Sequence, residues 1–316
     1  MKAIKCIIVL VLLAASGYAQ QNAQYNQYIF NELVINPAYA GSKDILNINA
    51  IYSSQWSGLT GSPNTQTVSL EGPVTPKIGL GVHLINDNIG AQSQQSLFGS
   101  YAYKVAINDK LKLSLGLALG ASYFTLDGTK LTSEELDPAI PTTLQTKLRF
   151  DSKTGLFLYS QRFYAGFSVS DLLADVIKSK DLMVTKQIRH YYLTSGYVFD
   201  ISEKIKYKPS FLLKEDFKAP TSIDLSSYFL YNERFWIGAT VRMGAKIFNN
   251  EKIDNSLRMR DAVIFMMDYN ISDNFRLGYA YTLSTTALKE YPGHEISLSY
   301  YFAEKGAAKM KTPRYF

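Results

Sequence analysis

The sequence is poor in charge and in sulfur. Charged residues make up 19% of its 316 residues, and it contains one cysteine. In soluble enzymes of this size, charged residues usually make up roughly a quarter of the chain. The lower fraction here disfavours that class of protein. The cysteine, Cys6, lies in a segment that we expect to be removed. We therefore expect a mature chain with neither a disulfide nor a reactive thiol.

The amino-terminal apolar run is too short for a membrane-spanning helix, which needs about 20 residues. This run, Ile7 to Ala15, follows Lys2 and Lys5 and precedes the small residues of Gly17 to Ala19. A positive start, an apolar centre and a small-residue cleavage site are typical of a secretion signal. The order predicts a signal peptide over residues 1–19.

Recognisable catalytic and metal-binding patterns are lacking as well. The histidines, His83, His190 and His294, lie on different predicted strands or strand ends, without ligand spacing. Neither a Gly-x-Ser-x-Gly motif nor a phosphate-binding glycine loop occurs. Asn86 to Gly90 lacks the bidentate acid of a calcium loop, so we interpret it as a hairpin turn. We predict a protein that is not an enzyme and that needs no cofactor and no metal.

The positive charge is concentrated near the carboxyl terminus. The formal net charge is +6, and two of these charges belong to the predicted signal peptide. Residues 304–316 carry much of the rest, and we interpret them as a solvated basic tail on the periplasmic side. Basic patches with aromatic residues can bind nucleic acid. A secreted protein does not meet nucleic acid in the cell, so we expect none as a partner.

Alternating segments of strand length follow one another from residue 44 to residue 303. The clearest is Lys110 to Phe124, in which leucines alternate with small or polar residues. Period two places the two sets on opposite sides of a sheet. In a transmembrane barrel the leucines face lipid and the small residues face the lumen, and we expect the lumen-facing Gly116 to accept a serine. The 23 tyrosines suit a membrane–water interface.

Soluble β-sandwiches show the same period, and the lengths of the connections separate the two folds. Short links such as Asn108-Asp109 alternate with long links such as Leu126 to Arg149. Outer-membrane barrels have short periplasmic turns and longer external loops. We predict an all-β fold, a transmembrane antiparallel barrel of about 14 strands over residues 44–303. The strands are expected to begin near residues 45, 65, 77, 95, 110, 153, 162, 187, 203, 221, 234, 261, 274 and 294.

Two residues conflict with regular barrel strands. Pro209 lies inside a predicted strand, although a closed barrel has no free edge to accept it. We therefore expect a bulge there or an earlier strand end. Trp236 points into the lumen by strict alternation, and we expect either that it stacks over small lumen residues or that the strand register shifts.

One stretch, Phe30 to Ser42, has neither a strand period nor a helical period. Pro37 fixes its own φ and pushes Asn36 towards an extended conformation. Small residues such as Ala38 and Gly41 allow close packing. From the residues alone, two interpretations stay open: an ordered irregular segment packed against other structure, or a plain turn that leads into the first strand.

Short motifs occur in a fixed order along nearly the whole mature chain. Their residues are Phe30, Asn31, Asn36, Pro37, Ala38, Tyr39, Gly41, Gln55, Trp56, Gly58, Gly61, Pro63, Asp87, Arg189, His190, His294 and Glu295. The ordered set resembles the PorP/SprF family, outer-membrane proteins of the type IX secretion and gliding system of Bacteroidetes. Two positions depart from the family pattern: Glu32 stands where proline is frequent, and Ser53-Ser54 where arginine is frequent.

The resemblance implies binding rather than catalysis. It implies a monomeric barrel in outer-membrane lipid, within a larger complex, that binds type IX secretion components or supports export or anchoring of a secreted adhesin. We expect residues 20–43 to form a plug that starts at the periplasmic mouth, and the motif residues to contact the partner. The alternative is a transporter for small hydrophobic molecules. It needs an apolar path, whereas the predicted inward residues are mostly Gly, Ser, Thr, Lys and Arg.

Overall fold

A computed structural model of the chain describes residues 26–131, 141–174, 187–245, 247–248 and 260–302. Strands dominate these residues, and none of their helices is long and apolar enough to cross a membrane. The strands are β1 (Asn47–Ser54), β2 (Asn64–Thr75), β3 (Ile78–Ile89), β4 (Gln92–Ala106), β5 (Lys112–Asp127), β6 (Leu144–Tyr159), β7 (Phe163–Ser170), β8 (His190–Tyr197), β9 (Phe199–Asp200), β10 (Ile205–Glu215), β11 (Thr221–Tyr231), β12 (Phe235–Ala245), β13 (Arg260–Asn270), β14 (Phe275–Ser284) and β15 (Gly293–Tyr301).

The strands form one closed antiparallel sheet. Successive strands are hydrogen-bonded neighbours, and β1 closes the sheet by pairing with β15 from Asn47 opposite Tyr301 to Ser54 opposite His294. β8 and β9 both pair with β10 and are separated only by Val198, so they count as one interrupted strand. The fifteen strand segments therefore make a barrel of fourteen strands. This confirms the predicted barrel, and the sandwich alternative is wrong.

The two ends of the barrel differ. One end, here called the short-turn end, holds the start of β1, the end of β15 and tight connections such as residues 160–162. The opposite end, here called the long-loop end, holds the wide connections, such as residues 171–189. The alternation is incomplete, because Gly90 and Ala91 alone join β3 to β4 at the long-loop end. In outer-membrane barrels the short turns face the periplasm.

Most predicted strand starts lie within three residues of the observed ones, and β6 is the exception. It begins at Leu144 rather than near residue 153, so residues 144–149 at the end of the predicted loop Leu126 to Arg149 are strand. The predicted signal peptide and basic tail lie outside the described residues. The exact limits proposed for the four regions of the chain stay predictions.

The two faces of the barrel wall have the compositions that the alternation predicted. On β5, Leu115, Leu117 and Leu119 are exposed on the outer face, whereas Ser114 and Ala118 are buried on the inner face. Other strands repeat this arrangement, with apolar or aromatic residues outside. A ring of exposed apolar side chains is the surface that a bilayer covers.

Pro209 is accommodated in a way that the sequence did not suggest. On one side β10 pairs continuously with β11, with Pro209 opposite Ser227. On the other side the ladder stops after Ser210 opposite Gly196 and resumes at Tyr207 opposite Phe199, in the same register. The expected bulge or early strand end is therefore wrong. The missing N–H of proline coincides with the interruption between β8 and β9.

Candidate functional site

The described chain from Asn26 to Ser42 packs against the inner face of the barrel. Residues 26–46, here called the N-terminal segment, form three short 3₁₀ turns at Tyr28–Phe30, Glu32–Val34 and Pro37–Tyr39. Pro37 stands at the start of the third turn, where its absent N–H is not needed. The Asn36 side chain caps this turn by accepting from the Ala38 N–H at 3.0 Å. The plain-turn interpretation is wrong: the segment is ordered and irregular, and its residues up to Ser42 are mostly buried.

Glycines of the inner wall make room for the N-terminal segment. A Cβ at Gly79 would overlap the carbonyl of Ala40, and a Cβ at Gly116 would overlap the backbone of Ala38. The expectation that Gly116 accepts a serine is therefore wrong. It failed because the alternation shows which face a residue lies on, but not what stands in front of it.

Wall side chains hold the backbone of the segment at its beginning and its end. The Glu295 carboxylate accepts from the N–H groups of Asn26 and Gln27 at 3.1 and 2.7 Å. At the other end, Glu71 accepts from the Gly41 N–H, and Lys104 donates to the Gly41 carbonyl at 3.0 Å. These bonds satisfy backbone groups that have no strand partner.

The middle of the segment is held in the same way. Lys153 donates to the Val34 carbonyl at 3.0 Å, and Ser168 donates to the Ile35 carbonyl at 2.7 Å. The side-chain amide of Asn36 donates a hydrogen bond to the Leu156 carbonyl of β6 at 3.0 Å. The segment thus contacts the wall along its length through side chains, without joining the sheet.

Phe30 is an aromatic anchor of the segment in the lumen. Its ring meets the edge of Trp236, with ring centres 5.8 Å apart. The Arg276 guanidinium lies 4.2 Å from the centre of the ring, and the Lys208 Nζ lies 5.6 Å from it. Cations near an aromatic face are attracted by its quadrupole. Trp236 does point inward as predicted, but it packs on Phe30 rather than over small residues.

Glu32, which departs from the family pattern, is fully buried in the segment. Neither of its carboxyl oxygens has a hydrogen-bond partner in the described part of the chain. Burial raises the pKa of Glu32 to about 8, against the opposing effect of the positive charges of Lys208 and Lys43.

A second group of motif residues forms a rim at the long-loop end, here called the β1–β2 rim (residues 55–63). Its ends are joined by a bond from the Gln55 N–H to the Pro63 carbonyl at 2.9 Å. Three of its residues have a positive φ, a backbone conformation that favours glycine, and two of the three are glycines. They are Trp56 (50°), Gly58 (97°) and Gly61 (76°).

The β1–β2 rim is tied to its neighbours on both sides. The Gly90 N–H donates to the Gly61 carbonyl at 2.9 Å, and the Ser57 N–H donates to the Pro292 carbonyl at 2.7 Å. Asp87 on β3 accepts from the Thr65 hydroxyl on β2 at 2.5 Å. These contacts join the β1–β2 rim, the end of β3 with Asp87 and the connection before β15 at one edge of the mouth.

The remaining motif residues occupy different positions. His294, next to Glu295, shares a hydrogen bond of 2.8 Å with the Tyr279 hydroxyl. Arg189 and the buried His190 lie elsewhere at the long-loop end, where His190 Nδ1 is 3.4 Å from Asp171. The motif residues thus lie in the N-terminal segment, at the β1–β2 rim, on β15 and around His190, and the structure does not unite them in one pocket. Among the described residues, no group of His, Cys, Asp and Glu could hold a metal ion.

Sequence reasoning missed the wall residues that hold the segment. These are Glu71, Lys104, Lys153 and Ser168. The signal that could have found the charged ones is their position, because each falls on the inward face of a strand in a chain that carries little charge. Their partner could not be found from the sequence, since it lies far away along the chain.

The start of the described segment has a defined position along the barrel. Asn26 is bonded to Glu295 and to Thr282, which lie near the long-loop ends of β15 and β14. The first described residue therefore lies near the long-loop end; residues 20–25 are outside the described residues, so the expected start of residues 20–43 at the periplasmic mouth stays a prediction. Whether the segment acts as a plug in the functional sense stays a prediction.

Fold and site together define an outer-membrane β-barrel whose inner face contacts residues 26–42 of its own chain. The family model described as "Type IX secretion system membrane protein PorP/SprF" matches residues 17–300. The chain belongs to this family, which confirms the resemblance and implies a role in a secretion complex. No curated protein sequence matches the chain.

Several solved barrels are similar to the chain in fold. The CymD monoaromatic hydrocarbon channel is 12% identical, with 87% of this chain and 93% of that chain covered and a TM-score of 0.48. A Pseudomonas aeruginosa FadL homologue is 10% identical, with 82% and 89% covered and a TM-score of 0.42. The Acinetobacter baumannii protein Omp33 is 9% identical, with 81% and 96% covered and a TM-score of 0.42. These likenesses concern the fold alone.

Proposed function

We propose that this protein acts by binding, without catalysis, and that it supports the export or surface anchoring of a partner such as an adhesin. The observation that carries the proposal is the N-terminal segment, which occupies the lumen and includes the first set of family-motif residues. In this proposal the segment is a plug that orders the barrel, and the β1–β2 rim contacts the partner.

The burial of the segment favours a permanent plug. Its buried apolar side chains include Tyr28, Phe30, Leu33, Ile35 and Tyr39. Full burial of one such side chain contributes roughly 1.5–3 kcal/mol, so the set contributes on the order of 10 kcal/mol, as an upper estimate. That is comparable to the whole stability of a typical domain. A segment held so strongly favours a binding role over a conducting one.

The shape of the β1–β2 rim supports its proposed role. Positive φ at Trp56, Gly58 and Gly61, together with bonds to Gly90 and Pro292, restrains a loop whose residues 58–61 are exposed. An exposed loop that is held rigid loses little conformational entropy when a partner binds. The small-molecule transporter is less well supported, because Phe30, Trp236 and other aromatic residues form a buried cluster on the inner side of the barrel.

The double substitution Asn36→Ala with Pro37→Ala tests the proposal. It removes the cap of the third 3₁₀ turn and the bond to Leu156, while every strand pair of the wall is retained. We expect the folded band in heat-modifiability gels to persist and the display of one adhesin, measured by surface proteomics, to fall. Asp109→Ala with Lys110→Ala, in an exposed short turn, is the matched control.

Two results would count against this function. Normal display of every surface adhesin in the Asn36/Pro37 variant would remove the role of the segment. Impaired uptake of a small apolar molecule together with normal display would favour the transporter instead. Loss of the folded band would show that the segment is needed for folding, contrary to our expectation.

A further inference from the structure

The wall of the barrel has a step at the long-loop end, between β6 and β7. On one side β6 pairs with β5 along its whole length, Leu144–Tyr159. On the other side it pairs with β7 only from Thr154 to Tyr159. The upper part of β6 therefore projects beyond the end of β7, and its residues 144–150 are here called the β6 edge.

The backbone groups on the open side of the β6 edge can be assigned to particular residues. In an antiparallel sheet, successive residues of a strand direct their N–H and C=O groups to alternate sides. The Ser152 carbonyl faces the β7 side, where it accepts from the Leu172 N–H at 3.2 Å. By alternation, the backbone groups that face this side above Ser152 are those of Leu144, Thr146, Leu148 and Phe150. Within the described part of the chain these groups have no hydrogen-bond partner.

Lipid does not satisfy these groups. It offers no hydrogen bonds, and open sheet edges do not occur in the hydrocarbon region of a membrane. A transmembrane strand needs about 9–11 residues, and such a span, measured from Tyr159 at the short-turn end, finishes near residue 149. Because the short turns of outer-membrane barrels face the periplasm, the stretch from Leu144 to Leu148 stands on the cell-surface side of the hydrocarbon layer.

The side chains of the β6 edge favour the addition of a strand. On the outer face, Leu144, Leu148 and Phe150 are 59%, 55% and 64% exposed. An open edge with exposed apolar side chains is a template for pairing with another chain. On the inner face, Lys147 and Arg149 carry positive charge, which suits acidic or polar residues on the corresponding face of an added strand.

The β6 edge of a second copy of this barrel does not fit this position. The β6 strand of that copy would continue below its own edge into the same bilayer, because the strand is continuous from Leu144 to Tyr159. The place beside the lower part of β6 is already taken by β7, which is paired from Thr154 downwards. A strand that adds to the β6 edge must therefore end near the level of Thr154, as a strand that arrives from the cell surface does.

We propose that the β6 edge binds a short β-strand of a protein on the cell-surface side, and that the strand extends the sheet by backbone pairing. The added strand is amphipathic: it places apolar side chains beside Leu148 and Phe150, and polar or acidic ones beside Lys147. This inference goes beyond the proposed function, because the β6 edge is separate from the N-terminal segment and from the β1–β2 rim.

A proline on the open side separates backbone pairing from side-chain contact. Leu148→Pro removes an N–H that faces the open side, where an edge strand tolerates proline, whereas the bonds to β5 belong to the neighbouring residues. Leu148→Ala is the matched control, because it shortens the same side chain and keeps the N–H. Both variants are made in the full chain and are first checked for the folded band in a heat-modifiability gel.

Photochemical cross-linking on intact cells detects the partner strand. The photoreactive residue p-benzoylphenylalanine replaces the exposed Phe150, and in a separate strain it replaces Phe265, which is 49% exposed on the outer face. We expect position 150 to give a cross-link to one surface protein that persists with Leu148→Ala and is lost with Leu148→Pro. Position 265 should not give this product. Equal cross-linking in the proline and alanine variants, no cross-link at position 150, or a cross-link between two copies of the barrel would overturn the proposal.

Hydrogen exchange then measures the pairing itself, and it does not depend on the proline variant. The barrel refolded alone in lipid vesicles is compared with the complex cross-linked at position 150. The amides of Leu144, Thr146 and Leu148 should exchange quickly in the barrel alone and at least about tenfold more slowly in the complex. Rapid exchange in both samples would overturn the proposal. Slow exchange in the barrel alone would show that the chain covers its own edge and would also overturn it.

Discussion

The outer and inner faces of β5 are built from neighbouring residues and obey different rules. Leu117 is 49% exposed on the outer face, in a row of leucines. Gly116, its neighbour, faces the backbone of Ala38 so closely that a Cβ does not fit. Lipid is fluid and adapts to any apolar side chain, whereas a protein interior is close-packed and responds to a single methylene. The outer face therefore requires an apolar side chain of any size, whereas the inner face restricts the volume of the side chain.

The inner face is also where charge is used. Glu71, Lys104, Lys153 and Glu295 are inward-facing, and each bonds to the backbone of the N-terminal segment. A charged group that is buried needs such partners, because burial without them is costly. Although the whole chain carries little charge, some of its charged residues lie in the lumen and hold the N-terminal segment in place.

The largest effect is expected from an aromatic residue of the inner region. Phe30→Ala removes the ring that packs between Trp236 and Arg276, and it should lower the free energy of unfolding by about 3–5 kcal/mol. Phe265→Ala, on the outer face and 49% exposed, should cost on the order of 1 kcal/mol. Urea titration of the barrel in lipid vesicles measures both. Equal costs would contradict a lumen packed like a protein core.

On the outer face, charge should matter more than size. Leu117→Arg should lower the free energy of unfolding by about 2–4 kcal/mol if residue 117 lies near the bilayer centre. Leu117→Phe keeps the residue apolar and should have little effect in the same urea titration. A Phe variant as damaged as the Arg variant would show that this face is packed against protein rather than lipid.

On the inner face, size should matter even without a change in polarity. Gly116→Ala adds one methyl group against Ala38 and should cost about 1–3 kcal/mol, because the segment must shift. Gly99→Ala is the matched control, since a Cβ there meets nothing within 4 Å. It should be neutral or slightly stabilising. Similar behaviour of the two alanines would show that the segment does not contact the wall at β5.

The smallest expected effect is a dependence on pH. The folded-state pKa of Glu32 is raised to about 8 by burial, above the value of about 4.3 for an unfolded chain. The proton is therefore held more tightly in the folded state, and its stabilising contribution is lost as pH rises towards 8. Between pH 6 and 8 the barrel should lose about 1 kcal/mol per pH unit relative to Glu32→Gln.

The pH effect has a control of its own. Glu203→Gln changes an exposed glutamate in a short turn and should follow the pH dependence of the unsubstituted barrel in vesicle unfolding. If Glu32→Gln also follows it, then Glu32 is not buried as a carboxylic acid.

The fold was determined largely by the sequence itself. Period-two alternation, as in Lys110 to Phe124, predicts which side chains face lipid, because the side-chain period of a strand is a local property of the backbone. The long and short connections then distinguish a barrel from a sandwich. The main error of the sequence-based prediction is the start of β6, which was expected near residue 153 and lies at Leu144. This error concerns a boundary and leaves the topology unchanged.

The candidate site was determined only in part. The motif order led to the family, and Pro37 with its small neighbours predicted an irregular, closely packed segment. What only the tertiary structure decided is where residues 26–46 lie: which wall glycines face them, and in which direction they run along the lumen. The Asn36–Leu156 bond joins residues 120 apart, and the Asn26–Glu295 bond joins residues 269 apart. No local pattern encodes such pairs, because they exist only once the barrel has closed around the segment.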